Sequence, residues 1–404
     1  MSIVLYDKLM DCCGCSACVN ICPKNAISLK RNEDGFIYPE INDQLCISCG
    51  QCLKVCNYQN KNKKKSFTKT FVAVAKNVDI LESASGGVFS SIAKSFIQNG
   101  GIVYGATMTY DDKLYVRHIG IKNLSDLNKL KGSKYIQSDV QGIFKEIRNH
   151  LNNDNRVLFS GTPCQVDGLK GFLKKDYNNL YTIDLICHGV PSQQFFQDYI
   201  RYIEKKKHIK IIDFKFRDKH DGWKLYGKIK YMDLNNEIKE DFFEAEESSF
   251  YQLFLNSYIY RENCYQCPYA CKNRPGDITI GDYWCIDLVH PEYLIENGGS
   301  IDEKKGVSTL IINNEKGNDL VTRYGTKIQK YESSYQQASK YNAQLIRPSV
   351  LNDKRNLVLK MYRKYGYEKV DTWYKRKFLV IKMKRKLIAL IPQKIKISIK
   401  KLIK

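Results

Sequence analysis

The chain has 404 residues, of which 43% are hydrophobic and 27% are charged, and its formal net charge is +22 at pH 7. This length predicts two or three domains with a substantial core, and no stretch approaches the roughly 20 apolar residues needed to span a bilayer. The chain has fifteen cysteines and its N-terminus does not resemble a signal peptide. We therefore expect a reducing cytoplasm and metal ligation in place of disulfides.

Two cysteine runs near the N-terminus follow the C-x2-C-x2-C-x3-C spacing of bacterial two-cluster ferredoxins. The first run is Cys12, Cys15, Cys18 and Cys22, followed by Pro23, and the second is Cys46, Cys49, Cys52 and Cys56. In that arrangement the fourth cysteine of each run ligates the other cluster, so Cys56 joins the first run and Cys22 the second. A zinc site normally has two well-separated pairs. The spacing therefore predicts two 4Fe-4S clusters and electrons moved one at a time.

The chain divides into four predicted segments. Residues 1–59 are predicted to form the two-cluster ferredoxin-type domain, and residues 60–67 a lysine-rich linker. Residues 68–350 are predicted to form a larger domain, and residues 351–404 a helical basic tail. Cys13 is an extra cysteine in the first run, and Asn57 stands where that run has Pro23. Neither difference removes a ligand.

Short apolar strands alternate with helical patterns in the larger domain. The pattern predicts strands Phe71–Ala75, Ile102–Met108, Val157–Phe159 and Tyr181–Cys187 and helices Gly87–Gln98, Val140–Leu151 and Gln193–Glu204. From Ile211 to Glu247 it predicts antiparallel strands with a turn around Asn235 and Asn236. Such alternation predicts an α+β or mixed α/β fold with a mixed sheet.

Five short motifs stand at predicted loops of this domain. They are Ser83–Gly87, Gly132–Tyr135 with Ser138, Gly161–Gln165, Cys187–Gly189, and Cys264–Cys267 followed by Cys271, Arg274 and Asp277–Trp284. A Gly-Gly pair before a helix can expose backbone N–H groups to a phosphate, and Lys134 could neutralise that phosphate. The same features also occur as ordinary tight turns and solvated lysines.

As a set and in this order, the motifs resemble the family of beta subunits of coenzyme F-420-reducing hydrogenases and dehydrogenases, whose bacterial members often carry an N-terminal two-cluster module. The resemblance implies an iron–sulfur oxidoreductase domain that contains FAD. The implied FAD site consists of Ser85, Gly86, Gly87, Gly132, Ser133, Lys134, Tyr135 and Ser138. The implied ligands of a third 4Fe-4S cluster are Cys164, Cys187, Cys264 and Cys267.

The residues themselves give partial support to that third cluster. Cys264 and Cys267 repeat the spacing of the N-terminal runs, and Cys164 and Cys187 lie near predicted strand ends, where α/β folds bind ligands. Two alternatives stay open. In the first alternative, Cys164 and Cys187 are buried and act only as small hydrophobic residues. In the second, Cys271 supplies a third ligand from the loop that contains Cys264 and Cys267.

Two further groups are candidates for chemistry at the flavin. His188 is the candidate proton donor because imidazole titrates near neutrality, although a structural histidine is the alternative. The segment Phe216–Lys219 with Trp223 is a candidate substrate face, or else an exposed charged hairpin.

The excess positive charge is concentrated in the predicted tail. Twelve Lys or Arg residues lie between Lys375 and Lys404, and no acidic residue follows Asp371. Apolar residues alternate with them, which favours either peripheral contact with the inner face of the cell membrane or a solvated tail. No nucleic-acid motif accompanies the charge, so nucleic-acid binding is not expected.

We therefore expect a flavin- and iron–sulfur-dependent oxidoreductase. It would pass electrons from a ferredoxin-like donor through 4Fe-4S clusters to FAD and a small-molecule acceptor. The basic tail suggests a role in surface-polysaccharide metabolism. The alternative is an electron-transfer (beta) subunit of a hydrogenase or dehydrogenase complex that reduces coenzyme F-420 or a similar carrier. A subunit should co-purify with partner chains, whereas a self-contained enzyme should turn over alone.

Overall fold

The computed structural model describes residues 3–60, 68–76 and 80–390, with side chains as far as residue 379. Residues 61–67 of the predicted linker and 391–404 of the predicted tail lie outside the described residues.

The N-terminal part is built of short elements around the two cysteine loops. They are α1 (Ala17–Ile21), β1 (Ile27–Arg31), β2 (Ile37–Ile41), α2 (Gln51–Lys54) and α3 (Asn57–Asn60). Strands β1 and β2 form an antiparallel hairpin between the two loops. Each cysteine loop leads directly into a short helix, α1 in the first run and α2 in the second.

The rest of the chain forms a large mixed sheet, a smaller antiparallel sheet and their helices. The strands are β3 (Lys69–Ala75), β4 (Ile102–Tyr110), β5 (Leu114–Ile121), β6 (Val157–Gly161), β7 (Leu180–Leu185), β8 (Lys210–Asp218), β9 (Tyr226–Met232), β10 (Ile238–Glu244), β11 (Ile278–Asp282), β12 (Ser308–Ile312) and β13 (Ile328–Ser333). The helices are α4 (Val88–Gln98), α5 (Leu127–Leu130), α6 (Ile143–Asn152), α7 (Pro163–Leu173), α8 (Gln193–Lys207), α9 (Ser249–Leu255), α10 (Ile286–Val289), α11 (Glu315–Tyr324), α12 (Tyr335–Ser339) and α13 (Lys354–Leu390).

The large sheet gathers several strand ends at one edge. Its order is β13-β3-β12-β11-β7-β6-β4-β5. Strands β4, β6, β7 and β11 run parallel to one another, and β3 shares their direction because both β3 and β11 are antiparallel to β12. The loops after these five strands therefore emerge together, at what we call the carboxyl edge. Ligand sites of α/β folds gather at such edges.

Both faces of the large sheet are covered. Leu158 of β6 packs into the core under α4 and α11, whereas its neighbours Val157 and Phe159 pack into the core under α6 and α7. This alternation is the period of two that a strand imposes on its side chains. The second of these cores also contains Ala17 and Val55, so the N-terminal part is packed against the sheet domain.

The smaller sheet has the order β10-β9-β8 and is antiparallel throughout. The antiparallel strands predicted between Ile211 and Glu247 are therefore present, and Asn236, with φ of 61°, lies in the turn between β9 and β10. The mixed α/β fold with a large mixed sheet is confirmed. The strand predicted to reach Cys187 ends at Leu185, which leaves Cys187 in a loop.

The C-terminal helix α13 differs from the predicted tail. It is broken at Gly366, where φ is 74°, and Val358, Tyr367 and Val370 are buried in an aromatic core with α8 and α9. Asp371 is also buried and accepts hydrogen bonds from Ser249 Oγ and Tyr202 Oη, both at 2.7 Å. The first part of the predicted tail therefore belongs to the core. Within the described ranges, no helix is both long and apolar enough to cross a membrane.

Candidate metal centres and cofactor site

The two N-terminal cysteine loops share one backbone conformation. Gly14 and Ser16 in the first loop have φ of 69° and 62°, and Ser48 and Gly50 in the second have φ of 53° and 66°. In both loops these left-handed residues flank the second cysteine of the run. Such residues curl a short loop tightly, so its backbone N–H groups and thiols face a common centre.

The second loop and the end of the first run form one site. Cys22, Cys46, Cys49 and Cys52 line a single cavity together with apolar side chains that include Ile27 and Ile47. We call this the outer site, because the Cys49 side chain is exposed. The structure thus brings Cys22 to the second run, as the two-cluster arrangement predicts.

The remaining four cysteines of the runs form a more buried site. Burial raises the pKa of Cys18 well above its ordinary value, and the neighbouring thiols of Cys15, Cys12 and Cys56 add to this effect. Burial is also the main cause that raises the pKa of Cys56 to about 12, and the neighbouring thiol of Cys15 raises it further. We call this group the inner site. Buried thiols so close together become thiolates readily only when a metal supplies positive charge.

Four cysteines from three separate segments form a third site at the carboxyl edge. Cys164 is in the first turn of α7, directly after β6, and Cys187 follows β7. Cys264 lies in a 3-10 helix over Glu262–Gln266, and Cys267 follows that helix. All four line one cavity, which Cys13 also lines.

Cys271, the rival ligand, has different surroundings. Its thiol lies 3.3 Å from the carbonyl oxygen of Pro268 and 3.4 Å from that of Asn273. In the described chain it is not among the residues that line the third cavity. The structure therefore favours Cys187 over Cys271 as a member of the third site.

A buried ion pair fixes the loops of the third site. Asp184 in β7 accepts hydrogen bonds from Arg274 Nε at 3.1 Å and Nη2 at 2.8 Å, and both side chains are almost completely buried. Arg274 also donates to the carbonyl oxygens of Leu185 and Tyr269, both at 2.6 Å. These bonds tie the strand end before Cys187 to the loop after Cys267. Both nitrogens donate to the same carboxylate oxygen, Asp184 Oδ1, and charge-assisted hydrogen bonds of this kind are strong.

Cys13, the extra cysteine of the first run, lies between the inner and third sites. Hydrogen bonding with Cys13 is the main cause that lowers the pKa of Cys15, and it also lowers the pKa of Cys164 to about 7. Its thiol is therefore within reach of one sulfur from each site. The sequence offers no signal for this role beyond the additional cysteine.

The thiol sites fit clusters better than single ions. No three Cys, His, Asp or Glu side chains of the described residues converge closely enough to hold one metal ion. In a 4Fe-4S cluster each cysteine binds a different iron atom, so four thiols surround a centre that is larger than an ion. Groups of four cysteines around shared cavities match that requirement.

His188 lines the third cavity. Burial lowers the pKa of its imidazole below the ordinary value, and Asp282 opposes this shift only partly. The side chain is therefore neutral near pH 7.

Several residues of the predicted FAD site make contacts within the protein. Ser85 Oγ donates to the carbonyl oxygen of Val307 at 2.8 Å, and Gly86 N donates to Ser308 Oγ at 2.9 Å. A Cβ atom on Gly86 would lie 2.5 Å from the carbonyl oxygen of Ala73, so packing alone requires glycine there. Gly87, with φ of 81°, is the residue before α4 and lies against the core.

The second predicted FAD segment is also engaged internally. Lys134 Nζ donates to the carbonyl oxygens of Lys129 and Lys131 at 3.2 and 2.7 Å, and burial lowers its pKa to about 7. Tyr135 is stacked on Phe254 at 4.5 Å. The other members differ in their surroundings: Ser133 is half-buried, Gly132 has open space beside its Cα, and Ser138 Oγ accepts from Gln165 Nε2 at 2.9 Å.

Strand β8 brings the two predicted FAD segments together. Lys219 Nζ donates to the carbonyl oxygen of Ser85 at 2.6 Å, and Arg217 Nη1 lies 3.5 Å from Tyr135 Oη. Arg217 is buried and paired with Asp282 at 2.8 Å, yet its Nη2 has no hydrogen-bond partner within the described structure.

This segment is therefore not an exposed charged hairpin. Trp223 stacks on Trp284 with ring centroids 5.1 Å apart. Because buried donors are nearly always satisfied, the free Nη2 of Arg217 fits an acceptor atom of a bound ligand. Six of the eight predicted FAD residues make the protein contacts given above, and FAD binding at this site stays a prediction.

Sequence reasoning missed Arg261, which is fully buried and touches the inner site. Its Nε donates to the carbonyl oxygen of Cys12 at 3.1 Å, and its Nη1 lies 3.2 Å from Gln137 Oε1. Its position shortly before Cys264 was the available signal, but spacing alone does not reveal where a long side chain points.

Cysteine quartets on a mixed α/β scaffold define the class of this molecule, an iron–sulfur electron-transfer protein. Residues 11–60 match the family model described as a 4Fe-4S dicluster domain. Residues 154–334 match the model that describes the C terminus of the beta subunits of coenzyme F-420 hydrogenase/dehydrogenase. The chain thus joins a 4Fe-4S dicluster domain to a domain of the coenzyme F-420 hydrogenase/dehydrogenase beta subunits, which confirms the resemblance of its motifs.

Two relatives carry related redox functions in their names. The coenzyme F-420-dependent sulfite reductase of Methanocaldococcus jannaschii is 25% identical over 328 residues, which cover 76% of this chain and 45% of that protein. The F subunit of the F(420)H(2) dehydrogenase of Methanosarcina mazei is 24% identical over 188 residues, which cover 44% of this chain and 53% of that protein. The chain thus spans about half the length of these relatives.

One solved structure is similar at a greater distance. A chain of the F-420-reducing NiFe hydrogenase complex from Methanosarcina barkeri has a TM-score of 0.41 and 14% identity, over 78% of this chain and 91% of that chain. This likeness is too distant to carry an argument.

Proposed function

We propose that the chain is an electron-transfer subunit of an F-420-linked oxidoreductase, which passes electrons between a redox partner protein and coenzyme F-420 or a similar carrier. The observation that carries this proposal is the succession of thiol sites. An exposed outer site, a buried inner site and a third site at the carboxyl edge are arranged in one packed chain. Bound 4Fe-4S clusters supply one-electron transfer at such sites.

Cys13 and Arg261 connect the inner site to the third site through protein contacts. Cys13 lines the third cavity with Cys164 and lowers the pKa of both Cys15 and Cys164, and Arg261 reaches Cys12 from the segment that leads to Cys264. The inner and third sites are therefore neighbours through protein contacts. Electrons entering at the exposed outer site would pass the inner site before they reach the carboxyl edge.

The relatives favour a subunit over a self-contained flavin enzyme. Those named above are F-420-linked redox proteins, and nothing in them points to surface-polysaccharide metabolism. The proposed membrane contact of the basic tail rests on charge alone, and residues 391–404 lie outside the described structure.

The carrier and a flavin would bind where β8 meets the carboxyl edge. Arg217, with its free Nη2, and the stacked Trp223 and Trp284 are the side chains that we propose for this role. FAD itself remains a proposal from the resemblance. His188 lines the third cavity at the same edge, and we propose that its neutral imidazole takes up a proton before it donates one.

Anaerobic purification with iron and flavin analysis tests the proposal. We expect about twelve iron atoms per chain when three 4Fe-4S sites are filled, together with co-purifying partner chains. Reduced protein should transfer electrons to coenzyme F-420. Zinc in place of iron, or a chain that turns over a small-molecule substrate alone without any partner, would contradict it.

A further inference from the structure

Arg261 has an unusual environment for a charged side chain. It is completely buried, and it donates to the carbonyl oxygens of Cys12 at 3.1 Å and Ile37 at 2.8 Å. Its guanidinium lies 3.8 Å from the ring centroid of Tyr38. Its Nη2 points to Cys12 Sγ at 3.8 Å.

The other buried arginines have carboxylate partners. Arg217 pairs with Asp282 at 2.8 Å, Arg274 with Asp184 at 2.8 Å, and Arg355 with Glu262 at 2.9 Å. Arg261 differs, because no Asp or Glu among residues 3–60, 68–76 and 80–390 forms an ion pair with it. A buried charge without a counter-charge is costly.

The missing negative charge is available at the inner site. Cys12 belongs to that site, and its sulfur is the one group of potentially negative charge that Arg261 touches within the described ranges. A 4Fe-4S cluster with four thiolate ligands carries net negative charge, so it would balance the guanidinium. Burial and the aromatic ring of Tyr38 keep water away, which strengthens this interaction.

We propose that Arg261 raises the reduction potential of the inner cluster above that of the outer cluster, and so directs electrons inward. Each transfer oxidises the outer cluster by one electron and reduces the inner cluster by one electron. The inner site thereby gains one negative charge, which the fixed positive charge of Arg261 stabilises. At the outer site, Lys24 is exposed and its charge is screened by solvent.

Arg261 therefore acts on the inner cluster through its positive charge and does not bind iron. The inference rests on the proposed two-cluster function, and iron analysis of the same samples separates failure of one from failure of the other. Missing iron in the wild-type protein would refute the clusters. Full iron with unchanged potentials would refute only the role of Arg261.

The test is a redox titration of the full chain followed by electron paramagnetic resonance. In Arg261→Gln we expect the inner cluster to become at least tenfold harder to reduce relative to the outer cluster, which corresponds to about 59 mV for one electron. Arg261→Lys keeps the charge and should retain most of the wild-type difference. A Cys49→Ser background changes the outer cluster and a Cys187→Ser background changes the third, so together they assign the three signals.

Arg355→Gln is the matched control. Arg355 is also buried and also donates to a backbone carbonyl, that of Tyr260, but its charge is already balanced by Glu262. Combined with Glu262→Gln, which removes the carboxylate that would be left unpaired, this variant should leave the relative potentials unchanged. Equal shifts in Arg261→Gln and in the Arg355→Gln/Glu262→Gln double variant, or equal losses in Arg261→Gln and Arg261→Lys, would overturn the proposal.

A second variant covers the case in which Arg261→Gln does not retain the inner cluster. Gln137 Oε1 lies 3.2 Å from Arg261 Nη1, so Gln137→Glu would place a carboxylate on the guanidinium without removing it. We expect the inner cluster to become harder to reduce in this variant as well. An inner potential that stays at its wild-type value would again overturn the proposal.

Discussion

Cys187 follows β7 and Cys271 lies in the loop after Cys267, and their thiols have different partners. Cys187 lines the third cavity with Cys164, and burial raises its pKa to about 12. Cys271 instead donates to backbone carbonyls of its own loop. A ligand role therefore suits Cys187, and a role in loop structure suits Cys271.

Serine variants of these two residues test that assignment. Cys187→Ser should lose about four iron atoms per chain, because one ligand of a 4Fe-4S site is removed. Cys271→Ser also replaces a partly exposed thiol by a hydroxyl, and this variant should keep full iron. The reverse pattern in anaerobic iron analysis would show that Cys264, Cys267 and Cys271 hold the cluster together.

Lys134, a half-buried lysine whose ammonium donates to two backbone carbonyls, gives a second test at the residue scale. Burial lowers the pKa of Lys134 from 10.5 to about 7. Below pH 7 both the folded and the unfolded chain hold this proton, so the cost of burial does not change with pH. Between about pH 7 and 10.5 the folded chain loses the proton and the unfolded chain keeps it, so stability rises with pH at up to about 1.4 kcal/mol per unit.

Lys134→Met removes this dependence. As pH rises from about 7 to 8.5, the thermal midpoint of the wild-type protein should rise relative to that of the variant. This range does not exceed the ordinary pKa of cysteine, about 8.5. Below pH 7 the difference between the two midpoints should be constant. A difference that falls with rising pH would contradict the assigned burial of the ammonium.

At the scale of elements, α13 shows that a strongly basic segment of the sequence can form part of the hydrophobic core. Its first half carries Val358, Tyr362 and Tyr367 into the aromatic core, while Arg363 reaches Asp34 in the N-terminal part at 3.0 Å. The helix therefore holds two parts of the molecule together. Its basic surroundings in the sequence conceal this role.

Neighbouring leucines on α13 make a matched pair. Leu359 is 3% exposed and Leu357 is 44% exposed. Leu359→Ala should lower the free energy of unfolding by about 2–5 kcal/mol, because it leaves a cavity. Leu357→Ala should change it by less than about 0.5 kcal/mol. Equal effects in chemical denaturation would mean that this segment is a peripheral tail.

The parts of this fold that depend on local pattern could be predicted from the sequence. Strands such as β3 and β6, and the two loops with their regular cysteine spacing, follow from short-range rules of periodicity and motif. Contacts between distant segments could not be predicted in this way. Arg261 reaches Cys12, and Cys13 reaches Cys164, only because the N-terminal part docks on the sheet domain.

The same limit explains the predicted FAD residues. Glycine at position 86 is required by the close approach of Ala73 in β3 and Ser308 in β12, and Ser308 is 222 residues away in the sequence. Glycine at a helix start is compatible with phosphate binding and with tight packing. The folded chain shows the packing reason, and phosphate binding at Gly86 and Gly87 stays a prediction.

At the scale of the whole molecule, the ferredoxin-type part is packed into the larger domain. Ala17 and Val55 are buried in the core beneath α6 and α7. A Cβ atom on Gly168 of α7 would lie 2.8 Å from Cys15 Sγ, and one on Gly171 would collide with the carbonyl oxygen of Val55. Removal of residues 1–59 would therefore expose apolar surface on the remaining chain.

This arrangement leaves the outer site as the accessible end of the electron path. Cys49 is exposed, and Leu45, Ile47 and Leu53 beside it are 51%, 57% and 41% exposed. Exposed apolar side chains around a redox site suit contact with a partner protein. The described cysteines of the inner and third sites are all less exposed than Cys49.

Ile47→Glu tests where electrons are received. The substitution puts a charge into the apolar contact, so reduction by a reduced two-cluster ferredoxin should slow about tenfold, equivalent to about 1.4 kcal/mol of lost binding. Leu234→Glu is the control, because Leu234 is 82% exposed in the distant turn between β9 and β10. Reduction by dithionite, which needs no protein contact, should be similar in both variants when followed by stopped-flow absorbance. Equal slowing with ferredoxin in both variants would mean that net charge, and not the surface beside the outer site, controls the encounter.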